Sequence, residues 1–245
     1  MNAIETKRLT KCFRSITAVD ALELSVGSGE FFALLGQNGA GKTTAIRMLS
    51  GLLAPTGGDA FIMGNSILTA SEAAKACCNL SPQETAVAEN LTVKENLVLI
   101  ARLYGAEKAE AGEAAEALLV QMGLKERASS RAKTLSGGMK RRLSIAMALI
   151  TKPQVLFLDE PTLGLDVRAR RELWKMIAAL KGKMTLVLTT HYLEEAQALS
   201  DRIGIMNKGH LVAVGTAKEL CAAAGTDTFE DAFLHFTEEE SEGIA

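Results

Sequence analysis

The sequence predicts an α/β fold: a mostly parallel sheet at the core, an antiparallel β part at the N-terminus, and an inserted helical block. Three observations carry this. Phe31 to Leu35, Val155 to Leu158 and Thr185 to Thr189 are short apolar runs, the pattern of strands covered on both faces in a parallel sheet. Ala3 to Phe13 and Ala18 to Val26 instead alternate, as half-buried strands do. Between about Ser71 and Ile150, alanine, glutamate and leucine dominate and the apolar period lengthens to roughly 3.6.

Gly27 to Gly29 turns the chain into Phe31 to Leu35, and the stretch that follows reads GQNGAGKTT, Gly36 to Thr44. Ile46, Leu49 and Leu53 then recur at helical spacing over Ala45 to Leu53. Strand, glycine-rich turn and helix in that order complete the phosphate-binding pattern GxxxxGK[ST]. Gly36, Gly39 and Gly41 permit backbone angles that a Cβ forbids, so successive amides can turn inward around a phosphate chain. Gly36, Gln37, Asn38, Gly39, Ala40, Gly41, Lys42, Thr43 and Thr44 are therefore the expected nucleotide-binding stretch. The helix N-terminus adds a positive dipole end, Lys42 a full charge for the β and γ phosphates, and the Thr43 hydroxyl a ligand for Mg²⁺.

Gly51, Pro55, Gly57 and Gly58 are expected to stop that helix and make a turn before a short strand, Ala60 to Met63. Thr92 to Tyr104 reads as a helix with Thr92 as cap and Glu95 as its capping-box partner. A second helix covers Ala106 to Met122 and ends at Gly123. A third starts near Ser136 and puts Leu143, Ala146, Met147 and Ile150 on one face. Ile203 to Met206 and Leu211 to Val214 flank Asn207, Lys208 and Gly209, a hairpin pattern. The expected organisation is one domain over 1–236, with β-rich parts at 1–83 and 151–236, a helical part at 84–150, and a frayed acidic tail at 237–245.

Composition narrows the class. The 245 residues are 48% hydrophobic and 23% charged, globular values, and the net charge of −2 gives no sign of a nucleic-acid surface. Cys12, Cys77, Cys78 and Cys221 form no CxxC pair and no zinc spacing, which suits idle thiols in a reducing cytosol. The longest apolar run, Ile145 to Ile150, falls far short of the about 20 residues of a membrane-spanning helix. The opening MNAIETKRLT has no apolar signal core.

The run Val155 to Leu158 ends in Asp159, Glu160 and Pro161, and Thr185 to Thr189 ends near His191. Adjacent residues on a strand point opposite ways, so two acids at a strand end facing a phosphate loop can hold different jobs. Asp159 is the expected Mg²⁺ partner, directly or through water. Glu160 can take a proton from the attacking water, with Pro161 biasing it away from helical geometry and holding it extended. Acids at strand ends also cap turns, and that plainer reading stays open.

LSGGMKRRLSIAMALITKPQVLFLDEPTLGLD resembles the nucleotide-binding subunits of ABC transporters. The likeness runs from Phe13 to about Phe236, with the phosphate loop, LSGGM, LFLDEPT and TTH in the family's order. It implies a P-loop NTPase-type core, with ATP and Mg²⁺ as cofactors. It also implies head-to-tail pairs in which Ser136, Gly137 and Gly138 of one copy cover the γ-phosphate bound by the other. By the same likeness Gln83, in LSPQET, senses Mg²⁺ and the membrane partner, Asp166 communicates across the pair, His191 contacts the γ-phosphate, and Phe13 stacks on adenine. The catalytic group is then Glu160, His191, Lys42 and Gln83, and the metal group Thr43, Gln83 and Asp159. Plainer roles remain open: a hydrogen-bonded core histidine, a solvated Gln83, a cap at Asp166, and a packed strand end at Phe13. Lys140, Arg141 and Arg142 read as a solvated helix face.

TTHYLEEAQALSDRIGIMNKGHLVAVGT, followed by DTFEDAFLHFT, is similar to the group exporting drugs, antibiotics, lipids or polysaccharides through a separately encoded integral membrane permease. That implies a place at the cytoplasmic face of the membrane and no nucleic-acid partner. The alternatives are an ABC ATPase that remodels a ribosome, DNA or an assembly complex, and a kinase using the same loop.

Overall fold

The computed structural model describes residues 1–238, so all but the first two residues of the expected acidic tail lie outside the described residues. Two sheets share the fold. An antiparallel sheet holds β1 (Asn2–Phe13), β2 (Ile16–Leu22), β3 (Ser25–Gly27), β5 (Gly57–Ile62) and β6 (Asn65–Ser66). The central sheet has the order β11-β10-β4-β9-β8-β7, from β4 (Phe31–Leu35), β7 (Cys78–Ser81), β8 (Val155–Asp159), β9 (Thr185–Thr190), β10 (Arg202–Asn207) and β11 (His210–Gly215). Its pairs are parallel except the hairpin β10–β11.

The three apolar strands are buried at every residue because each face meets a different core. Phe31, Leu156, Leu158, Leu186 and Leu188 pack toward helices α3 (Val93–Leu103), α4 (Lys108–Gln121) and α5 (Gly137–Leu149). Phe32, Leu34, Val155, Phe157 and Val187 pack toward the antiparallel sheet and α1 (Lys42–Leu49). A third cluster joins Leu35, Ile203 and Ile205 to α7 (Leu193–Leu199), α8 (Ala217–Ala224) and α9 (Phe229–Thr237). Each fully buried side chain of this size contributes about 1.5–3 kcal/mol, so the strands that carry the site are also the most firmly held.

Several elements differ from the sequence reading. The strand expected over Ala18 to Val26 is split because the Thr6 hydroxyl sits at the break, donating to the Leu22 carbonyl and accepting from the Leu24 amide, 2.7 Å each. Gly57 and Gly58 begin β5 instead of turning. Gly58 has φ +70°, and a Cβ there would stand 2.1 Å from the Arg8 carbonyl. Helix α1 starts earlier, at Lys42, and ends before Gly51 at φ +70°. Helix α2 (Ser71–Cys77) is followed by β7, which falls inside the stretch read as helical and pairs with β8 from Cys78–Val155 to Ser81–Leu158. Thr92 caps α3 with both capping-box bonds, 3.1 Å to the Glu95 amide and 2.7 Å back to the Glu95 carboxylate. Leu143, Ala146 and Ile150 of the third expected face are core residues. No helix among the described residues is long and apolar enough to cross a membrane.

Candidate nucleotide site

The phosphate loop leaves β4 at Gly36, whose amide donates to the Thr190 carbonyl at 3.3 Å. Its glycines answer to their neighbours: a Cβ on Gly36 would lie 2.4 Å from the Met206 carbonyl, and Gly41, at φ +101°, would meet the Ala18 carbonyl at 2.3 Å. Gly39 is at φ +84°. Lys42 opens α1, almost wholly buried, and donates to the Gly36 and Gln37 carbonyls at 2.8 and 3.0 Å. Burial pushes its pKa down, opposed by Glu160, 3.6 Å away, and by Asp159.

Asp159 ends β8, and its Oδ1 accepts hydrogen bonds from the hydroxyls of Thr43, 3.0 Å, and Thr189, 2.6 Å. Glu160 is not extended, as Pro161 led us to expect, but left-handed at φ +43°. The following proline disfavours the right-handed helical region, and the contacts with Thr189 hold the residue in this one. The angle costs about 1–3 kcal/mol. Its amide is pinned by the Thr189 carbonyl and hydroxyl at 3.1 and 3.0 Å. The turn aims the carboxylate at Lys42 on one side and at His191 on the other, 3.4 Å from Nδ1. His191 Nδ1 is buried without a hydrogen-bond partner among the described residues.

Gln83 is exposed and lines the same cleft, about 340 Å³, as Asn38 to Thr44 and Glu160. The Thr43 hydroxyl beside the Asp159 carboxylate, with the Gln83 amide on the cleft wall, is a hard oxygen set that suits Mg²⁺. Among the described residues no cluster of His, Cys, Asp or Glu could hold an ion alone, so phosphate and water oxygens would complete its shell. Phe13 is half exposed at the end of β1 with the Lys11 ammonium 5.2 Å over its ring, and it does not line this cleft.

The remaining expected residues gather elsewhere. Ser136, Gly137, Gly138 and Asp166 line a second hollow of about 380 Å³. Ser136 caps α5, accepting from the Met139 amide at 3.3 Å. Asp166 caps α6 (Val167–Ala178), accepting from the Ala169 amide at 2.9 Å, which is its plainer role. A Cβ on Gly137 would meet nothing within 4 Å among the described residues.

Two residues escaped sequence reasoning. Thr189 bridges both acids, and the double threonine of TTH was the signal for it. Arg141 is buried, not on a solvated face, and donates to the Pro82 carbonyl at 2.6 Å and to the Gln83 carbonyl. Burial pushes its pKa down, and no carboxylate among the described residues lies within ion-pair distance of it. Lys140, by contrast, pairs with Glu89 at 2.6 Å near the surface.

Comparison with known proteins shows the family and the fold. A family model described as ABC transporter matches residues 19–163, more than half of the chain. The daunorubicin/doxorubicin resistance ATP-binding protein DrrA of Streptomyces peucetius is 43% identical over 226 residues, 92% of this chain and 68% of that protein. A solved ATP-binding subunit of an ABC transporter superposes with a TM-score of 0.86 at 30% identity, covering 96% of this chain and all of that one. A dimeric ATP-binding cassette bound to ADP and phosphate shares the fold, with a TM-score of 0.79 at 24% identity over 87% of this chain and 98% of its own. The chain belongs to the ABC transporter family, as an ATP-binding and ATP-hydrolysing subunit.

Proposed function

We propose that two copies clamp ATP head to tail and that closure and reopening of the pair drive export through a separate membrane subunit at the cytoplasmic face of the membrane. One observation carries the dimer. Asn38 to Thr44, Gln83 and Glu160 line one hollow of a copy and Ser136, Gly137, Gly138 and Asp166 another, and Gly137 stands open with nothing among the described residues to forbid a side chain. A second copy turned head to tail brings one hollow over the other. The dimeric state of the structural relative that holds ADP and phosphate supports this reading, and the name of the drug-resistance relative supports export of a drug-like cargo.

In hydrolysis, the oxygen of a water attacks the γ-phosphorus, the bond to the β–γ bridging oxygen breaks, and the water's proton passes to Glu160. Lys42 and His191, on either side of that carboxylate, stabilise charge on the transferred group. Thr43 and Asp159, with Gln83 at the cleft edge, would hold Mg²⁺, which when bound would supply charge neutralisation to the phosphates. Ser136 spends a lone pair on its cap and keeps its hydroxyl hydrogen for a phosphate oxygen. We take residues 1–236 as one domain in which 84–150 form a helical part inserted between the β-rich parts.

The test is Glu160→Gln. It should bind ATP and dimerise more tightly than wild type while turnover falls at least ~100-fold, seen as phosphate release and by sedimentation. Wild-type turnover in that variant would end the assignment of Glu160, and unchanged specific activity at dilutions where only monomer exists would end the clamp.

A further inference from the structure

Glu195 is a carboxyl that the mechanism above leaves unused, and it has no exposed surface at all. Its Oε1 accepts two hydrogen bonds, from the Thr162 hydroxyl and from the Trp174 indole N–H, both 2.9 Å, while the buried Oε2 has no partner within hydrogen-bond distance among the described residues, the Thr190 hydroxyl being a further polar neighbour of the carboxyl. An imperfectly paired buried carboxyl costs free energy and is kept where it performs a task. The donors come from different elements. Thr162 is two residues beyond Glu160, Trp174 is on α6, which Asp166 caps, and Glu195 itself is on α7, which begins just past His191. A second connection runs over the outside. The Arg170 guanidinium lies over both the Trp174 and Tyr192 rings, at 5.8 and 5.3 Å, and the Tyr192 ring is 4.1 Å from that of His191.

From this convergence we infer that Glu195 is a positioning residue for hydrolysis, an acceptor that fastens the Glu160 loop, the His191 segment and the Asp166 helix into one unit. The inference rests on the roles given to Glu160 and His191 above. Burial pushes the Glu195 carboxyl up, opposed by the Thr190 hydroxyl, the Trp174 indole, the Thr162 hydroxyl and the Arg170 charge, in that order. What the site needs from it is one well-placed acceptor oxygen, and glutamine offers the same.

Trp174 is the chain's single tryptophan, so its emission reports on this hydrogen bond without background. Glu195→Leu keeps volume and removes the acceptor. Turnover should fall at least ~10-fold with ATP affinity within ~3-fold of wild type, and the emission should move to shorter wavelength. Glu195→Gln should restore the wild-type emission and bring turnover to within ~3-fold. Wild-type turnover or unchanged emission in Glu195→Leu overturns the proposal. So does a Gln variant as impaired as Leu, or ATP affinity lost in step with turnover. If Glu195→Leu does not fold, Thr162→Val removes one donor at constant shape and should cost ~3–10-fold in turnover; no cost overturns the proposal. Glu160→Gln is assayed alongside. If it turns over normally, the underlying reading fails, whereas its collapse beside a fully active Glu195→Leu removes the positioning role of Glu195 alone.

Discussion

The two hollows use the same parts, glycines and a hydroxyl at a helix N-terminus, yet their glycines are there for different reasons. In the phosphate loop the chain itself demands them: at Gly36 and Gly41 a Cβ would stand within 2.4 Å of a backbone carbonyl, and Gly39 and Gly41 have positive φ. In the hollow at α5 a Cβ on Gly137 is unopposed, and one on Gly138 would rest at an ordinary 3.4 Å from Ala169. Gly137 is the first residue of α5, where neither its backbone nor its described neighbours require glycine. On the proposed reading the first hollow is built by a copy's own backbone, and the second waits for the nucleotide held by its partner.

The largest effect expected from that contrast is on folding. Gly41→Val forces a side chain into the Ala18 carbonyl at a backbone angle valine avoids, and should lower stability by ~3 kcal/mol or more in urea denaturation. Gly137→Ala should unfold at the same or slightly higher urea. If both variants lost stability alike, the contrast would be false.

The first hollow was legible in the sequence because its information is local: a buried strand, a glycine pattern, then a helix. The acid pair was legible for the same reason, but the backbone of Glu160 was not. A following proline says which region is disfavoured without saying which of the others the Thr189 contacts will select. Strand β7 escaped because CNLS is too short and mixed to show a period, and its partner lies more than seventy residues on. Arg141 escaped because a basic run reads as solvated until the Pro82 and Gln83 carbonyls are brought to it. Glu195 escaped because two acids in a first helical turn look like complements to the dipole.

Next in size, Gly137→Glu puts a carboxylate where the partner's γ-phosphate is proposed to sit. Hydrolysis should drop ~100-fold while ATP affinity of the isolated copy is unchanged, because like charges meet only when the pair closes. Full activity would mean that the second hollow covers nothing. Arg141→Ala tests the link between the regions, since Arg141 is on the helix that Ser136 caps and holds the backbone of Gln83 beside the phosphate loop. It should reduce turnover ~10-fold and raise the Mg²⁺ concentration needed for half-maximal ATP binding, measured by calorimetry. An unchanged Mg²⁺ requirement would confine Arg141 to packing.

The smallest effect separates a cap that only holds a helix from one that also faces a ligand. Thr92 has a full capping box, with Glu95 returning a bond, whereas Ser136 has Met139 at the position where that acid would be and a longer 3.3 Å bond. Thr92→Ala and Ser136→Ala should each lose ~1 kcal/mol, about 2–4 °C in melting temperature for a chain of this size. Thr92→Ala should then hydrolyse ATP at the wild-type rate once folded. Ser136→Ala should not, because its hydroxyl hydrogen, with no acceptor among the described residues, is the group proposed to meet the phosphate across the interface. Matching stability losses with diverging rates would show that the missing box partner at Met139 leaves the serine available for a second task, and matching rates would make Ser136 a cap like any other.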